Sequence, residues 1–454
     1  MSQPTAVSPP TNPGSGPATS ASPTPGPVQR AGGPTVAGRL GDASTFVRRA
    51  MSGTPGRLRI VALLGVVMSL VFGVSAFSAF GSTNDALGRA QANTNQLVRI
   101  QAIHTNLVRA DADATNAFLL GGLEPPDQRA DYTRSLTQAS QLIAEAARAQ
   151  AADGPALGAL NSAVLTYASL VEQARATNRQ ALPVGAQYLR LASSGLRSDA
   201  LPILDALVKA NQARVSIEFG NATGQSGALV AAGLLALLVL IGAMIWLSWR
   251  THRYINPPIA AATAAILVTL VVGAFSLSAV GSRVNQVRDR SYAATLATAT
   301  ARIAAFDAKS NESLTLIARG SGSAFEKAWK SSSTVVTDQS AAAAKLSSDA
   351  SKMDALWKAY VDTHTQIRAA DDGGKWEAAV SQATGNAATS ANATFDAFDS
   401  SSGAALTSSS RAASGSLDGP RTWLQLAAWF GLLVGLAAAL SAWWGVSLRL
   451  EEYR

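Results

Sequence analysis

The chain has 454 residues, of which 48% are hydrophobic and only 15% charged, a balance unusual for a soluble protein of that length. It contains no cysteine, which excludes structural disulfides, a thiol nucleophile and thiolate metal sites. The net charge of +8 is not gathered into a basic, aromatic-interleaved domain, so nucleic-acid binding is not expected.

Residues 1–58 hold 10 of the 18 prolines, interspersed with Gly, Ser and Thr. Such a segment buries too little apolar surface to offset its ordering entropy, and a disordered cytoplasmic tail is expected. Four stretches then lack any charged residue: Ile60–Phe80, Gly227–Trp249, Ile255–Ser282 and Thr422–Leu448. Each reaches the roughly 20 apolar residues that span a bilayer, so four transmembrane helices are expected, near 59–81, 227–249, 257–282 and 422–448. Arginines cluster before the first span (Arg48, Arg49, Arg57), after the second (Arg250, Arg253) and after the fourth (Arg449, Arg454). Basic flanks stay in the cytoplasm, which puts both termini and the loop 250–256 inside a plasma membrane and segments 82–226 and 283–421 outside. Arg48, Arg49, Arg57, Arg250, His252, Arg253 and Tyr254 are then the candidate contacts for a cytoplasmic partner. Residues 449–454 close the chain as a short cytoplasmic tail.

The chain also repeats. VFGVSAFSAFGS (71–82) and VVGAFSLSAVGS (271–282) are identical at six of twelve positions. Farther on, RLASSG (190–195) and SQATGN (381–386) each carry a glycine within a helical pattern, followed by LDAL (204–207) and FDAF (395–398). These landmarks indicate an internal duplication. Each outer segment reads as four helices: 84–120, 127–150, 155–179 and 184–224 in the first, then 283–319, 324–348, 352–370 and 375–416 in the second. Turns such as GGLEPP and DDGG punctuate them. The expected fold is all-α: four spans and two tandem extracytoplasmic antiparallel four-helix bundles, paired as an internal pseudo-dimer.

No catalytic constellation stands out, and no cofactor or metal site is expected. The three histidines (His104, His252, His364) lack ligand spacing and read as ordinary exposed or stalk residues. Ionisable groups are missing from the spans, which argues against transport. In the fourth span Gly431 and Gly435 form a GxxxG pattern that suits close packing of helices. Asn256 can cap the third span, with Pro257 and Pro258 in its first turn. Polar residues concentrate at the far end of each first helix: Arg109, Asp111, Asp113 and Asn116, followed by Arg129 and Tyr132, and in the repeat Asp307, Asn311 and Glu312. They form a candidate membrane-distal binding surface; the plainer reading is a solvated face with helix-end charges.

LVRADADATNAFLLGGLEPPDQRADYTRSLTQASQLIAEAA (107–147) resembles the external four-helix-bundle sensors of bacterial chemoreceptors and sensor kinases, and KWEAAVSQATGN (375–386) is placed like the entry to their last helix. Unlike those receptors, the chain follows its second span with RTHRYINPP and a second copy instead of an output domain. Tandem units with a Pro-rich basic tail resemble an actinobacterial family of four-span proteins. Its members work between an external amino-acid-binding lipoprotein and a cytosolic serine/threonine kinase that controls glutamate and 2-oxoglutarate metabolism. The resemblance implies a non-enzymatic signal relay with those two partners and surrounding membrane lipid, sensing aspartate, glutamate or their amides. A homo-oligomer stays open. Direct small-molecule sensing by the bundles and a structural envelope scaffold are the alternatives.

Overall fold

The computed structural model describes residues 54–121, 124–251, 256–385 and 387–451. The expected disordered tail, Arg48, Arg49, His252, Arg253, Tyr254 and the side chain of Arg250 lie outside the described residues. Chain contacts separate a unit of Met1–Ile60, described only from Thr54 onward, from a unit of Val61–Arg454, to which the bundles and their seam belong.

Among the described residues the regular structure is helical, with no strand. Helix α1 (Thr54–Leu119) runs unbroken from the first apolar stretch into the outer segment. Then come α2 (Pro126–Ala149), α3 (Gly154–Arg179), α4 (Val184–Gly195), α5 (Leu201–Thr223) and α6 (Ser226–Thr251). The second copy comprises α7 (Pro257–Gln286), α8 (Ala293–Ile317), α9 (Ser323–Leu346), α10 (Met353–Asp372), α11 (Trp376–Thr384), α12 (Ala391–Asp418) and α13 (Arg421–Glu451). In both copies a three-residue 3-10 turn joins the second and third bundle helices, at Ala151–Asp153 and Ser348–Ala350.

Four continuous rods, 58 to 66 residues long, are apolar enough in part to cross a membrane. At 1.5 Å per residue the longest measures roughly 100 Å, several times a hydrocarbon core, so each rod serves as both span and bundle helix. Leu63, Val74, Leu238, Phe275, Phe430 and Leu440 are exposed on these spans. A row of bare aliphatic and aromatic side chains on every span is a lipid-facing surface, and the chain is a multi-pass membrane protein.

The spans pack through small residues. An added Cβ at Gly435 would meet the Cα of Gly73 at 2.5 Å, and one at Gly431 would meet the Cβ of Ala76 at 2.7 Å, so the GxxxG pattern is the contact between α13 and α1. Phe77 packs edge-on against Trp429 in the same seam, with ring centroids 5.1 Å apart. Asn256 holds the N-cap backbone position of α7, but its side chain caps nothing there. Its Nδ2 instead donates to the Gly445 carbonyl of α13 at 2.8 Å, because the adjoining helix end offers an acceptor while Pro257 and Pro258 remove two N–H groups from the first turn.

Away from the spans, α2–α3 and α9–α10 form hairpins, each packed on the two long helices of its own copy. In the first bundle Ile100, Ile103 and Leu107 of α1 meet Ala139, Leu160 and Leu189 in one apolar core. The second core centres on Trp357, Tyr360, Phe395 and Phe398, and Val108 and Ala112 of α1 join it from the other copy. The two bundles therefore share a packed face. Helix α8 is buried on nearly all sides, a pattern that its many alanines permit by letting neighbouring backbones approach.

The fourth bundle helix departs from the duplicate pattern. In the first copy α4 passes into α5 through a π-turn at Leu196–Ala200, where Leu201 N–H bonds back to the Leu196 carbonyl. Pro202 has no N–H to offer, and its ring would crowd the carbonyl four residues earlier, so the helix widens by one residue there. In the second copy the expected helix 375–416 breaks after Thr384. Gly385 is extended, and a Cβ on it would lie 2.6 Å from the Ser381 carbonyl oxygen. Ser390 then caps α12 through the N–H of Ala393, and Asn392 Nδ2 ties the new helix to the Thr384 carbonyl at 3.1 Å.

Candidate functional site: the seam and cleft between the bundles

The polar residues at the far ends of α1 and α8 meet where the bundles touch. Asp111 is 1% exposed and accepts from Ser193 Oγ at 2.6 Å, Arg197 Nη1 at 3.1 Å and Ser310 Oγ at 2.6 Å. Arg197, carried into place by the π-turn of α4–α5, also reaches Asp307 at 2.8 Å. Asp307 takes a further bond from Ser332 Oγ at 2.7 Å. One guanidinium thus bridges a carboxylate from each bundle, and each carboxylate is supplied with other donors, the condition under which a buried ion pair is tolerated.

A second bridge crosses the seam in the same direction, from an arginine of the first bundle to a carboxylate of the second. Arg109 on α1 pairs with Asp399 on α12, and its guanidinium lies 4.7 Å from the ring centre of Phe306. Arg302 binds the same Asp399 from its own bundle at 2.7 Å.

Behind the seam, bundle 2 contains a buried charge cluster. Glu312 is 1% exposed, with Lys309 Nζ at 2.9 Å and His364 Nδ1 at 2.8 Å. The other ring nitrogen of His364 lies 3.2 Å from Glu326, and Trp329 stacks on the imidazole at 3.6 Å between centroids. Burial alone would raise the Glu312 pKa, but Lys309 and His364 hold it down at about 2. Burial also works against a charged His364, yet hydrogen bonds to Glu312 and Glu326 raise its pKa above the ordinary histidine value. His364 is therefore not the ordinary exposed side chain that its isolation in sequence suggests. His104 is buried as well, and desolvation pushes its pKa down to about 4.

These placements revise the candidate distal surface. Asp111, Tyr132, Asn311 and Glu312 are buried rather than presented to solvent, since the two bundles close over the far ends of α1 and α8. Tyr132 faces inward beneath Arg175, whose guanidinium lies 4.1 Å from the ring centre and is paired with Glu124 at 2.9 Å. Asn311 bonds back to Asp307 within α8. Arg129 remains on the surface, 3.8 Å from Glu172. Arg57 is exposed near the start of α1.

Arg109, Asp113 and Asn116 instead line a cleft of about 420 Å³ between the bundles, together with Gln128, Asp131 and Asp396. Asp113 is half-buried and receives only a long bond from Ser135 Oγ at 3.5 Å. Burial pushes its pKa up to about 7. Asp396 is raised in the same direction, again chiefly by desolvation. Sequence reasoning missed Arg197, Arg302, Asp396 and Asp399. The FDAF landmark did contain Asp396 and stood next to Asp399, so its recurrence was a usable signal. Arg197 carried none, because its reach to both carboxylates depends on the π-turn at Leu196–Ala200 and on how the two copies pair.

Among the described residues no three His, Asp or Glu side chains converge as metal ligands would. Residues 86–220, essentially the first bundle, match a family described as an actinobacterial sensor domain. No curated protein and no solved structure matches the chain. The likeness of the first bundle to that sensor domain supports a sensing or signalling role for this multi-pass membrane chain.

Proposed function

We propose that the protein is a non-catalytic transmembrane relay: an external, ligand-loaded amino-acid-binding lipoprotein docks on the bundles, and a cytosolic serine/threonine kinase reads the spans. Its orientation follows from the arginine flanks and from exposed Trp249, Trp443 and Trp444, amphipathic side chains suited to headgroup depth at one membrane face. The observation that carries the reading is the Arg197 bridge from Asp111 to Asp307. It ties together two helices that each continue into a span, so any rearrangement of one bundle against the other is passed to the membrane. A shift of about 1–2 Å suffices for such coupling, and it requires only about 1–3 kcal/mol of differential contact.

The test is the response of the kinase in cells supplied with glutamate or aspartate. Truncating residues 1–50 together with replacing Arg250, His252, Arg253 and Tyr254 should abolish that response while the protein stays in the membrane. A response of normal size in this variant would sink the relay.

A further inference from the structure

The cleft between the bundles has an imbalance that determines what it can hold. Its cations are already committed: Arg109 to Asp399, Lys309 to Glu312 and Arg134 to Asp131. Several of its acceptors are not. Asn116 is 9% exposed, lines the cleft, and its Oδ1 has no hydrogen-bond partner. Gln128 Oε1 is likewise buried without a donor. Asp113 has only the 3.5 Å contact from Ser135, and Asp396, from the other bundle, stands at the mouth with no cation paired to it. Phe306 and Phe395, edge to face at 5.0 Å, supply an apolar wall.

A buried carbonyl oxygen with no donor has lost its hydration without compensation, and a ligand that brings the donor restores the missing hydrogen bond. An incoming carboxylate would find no free cation and would have to displace Asp399, Glu312 or Asp131 from its arginine or lysine. A bare metal ion would find no convergent ligand set among the described residues. An alkylammonium group has three N–H donors and a positive charge for the open carboxylates, and its methylenes can lie on the phenylalanines.

We propose that this cleft is a binding site for a small organic cation bearing primary ammonium groups, held between Asp113 and Asn116 of the first bundle and Asp396 of the second. Because both bundles contribute, an occupant would bias their relative placement; this role rests on the relay reading above, whereas the site itself does not.

The experiment uses the full-length protein in detergent, titrated calorimetrically with 1,4-diaminobutane, with L-glutamate and with magnesium chloride. The diamine should bind. Asp113→Asn, Asn116→Leu and Asp396→Asn should each weaken it by at least about tenfold, the loss expected for one charge-assisted or buried hydrogen bond. Asp396→Asn guards against misfolding, since it alters an exposed side chain without a pairing cation. No heat with the diamine, binding unchanged in all three variants, or glutamate or magnesium binding with the same residue dependence would each overturn the proposal. Diamine binding with no effect on the kinase would leave the site standing and count against the relay. A lipoprotein-driven response from a protein that binds no amine would do the reverse.

Discussion

At the scale of single residues, the seam is built from charges whose environments pull their protonation in different directions. Asp113 has a pKa of about 7 in the folded protein, against an ordinary aspartate value near 4, because its carboxyl is desolvated at the bottom of the cleft. Arg109, Asp131 and Asp396 face it, the first opposing the shift and the two carboxylates adding to it. A carboxyl with a raised folded pKa favours the folded state fully below about pH 4, and that contribution is lost as pH climbs to about 7. His364 has the same sign, since its folded pKa is also raised. Asp113→Asn separates the two: thermal unfolding of the purified variant should be less steeply pH-dependent between pH 4 and 7 than wild type. Above pH 7 it should be more stable, by up to about 4 kcal/mol. An identical pH profile would mean that the Asp113 carboxyl is as well solvated as an unfolded one.

At the scale of elements, the contact between α1 and α13 depends on two glycines facing each other. Gly435→Leu puts a branched side chain where even a Cβ would come within 2.5 Å of Gly73 Cα, so the helices must separate or slide. The native chain contains no cysteine, and cysteines introduced at Phe77 and Trp429, whose rings are 5.1 Å apart, report this separation directly. Their cross-linking by a short bis-maleimide should be efficient with Gly435 and fall several-fold with Gly435→Leu; unchanged cross-linking would show that the seam is held elsewhere. The existence and order of these elements were legible in the sequence because uncharged runs, three- and four-residue apolar steps and Gly or Pro punctuation are local signals. What happens at the two matched glycines was not. RLASSG and SQATGN look alike, yet Gly195 stays helical ahead of a π-turn set by Pro202 while Gly385 ends its helix, with Ser390 beginning the next. The difference depends on residues beyond the shared landmark. The candidate site was legible as a region for a similar reason: a cluster of charges at the ends of α1 and α8 is visible in one dimension. Which of those charges are buried against the other bundle, and which line a cleft, depends on how the copies pair.

At the scale of the whole molecule, the duplication places two bundles on one chain, and the question is whether they behave as one body. Apolar packing continues across the seam, with Val108 and Ala112 of the first copy inside the second core. The polar bridges add a penalty for separation. If the bundles part, Asp111 loses Ser310 and the environment in which Arg197 serves two carboxylates at once. Arg197→Met removes the bridge without emptying its volume, leaving Asp111 charged and buried with only hydroxyl donors. The expected destabilisation is about 3–5 kcal/mol, the usual cost of stranding one member of a buried pair. Because Arg197 touches both bundles, that loss should fall on their association as well as on either core. Wild-type protein in lipid nanodiscs should therefore lose its bundles in one calorimetric transition, and Arg197→Met should split or broaden it as the first copy unfolds away from the second. A second change, Asp111→Asn, should recover part of the stability by removing the stranded charge. If Arg197→Met unfolds in one sharp transition at the wild-type temperature, the seam is carried by its alanines and valines alone, and the charge bridge cannot be the element that keeps the two copies in step.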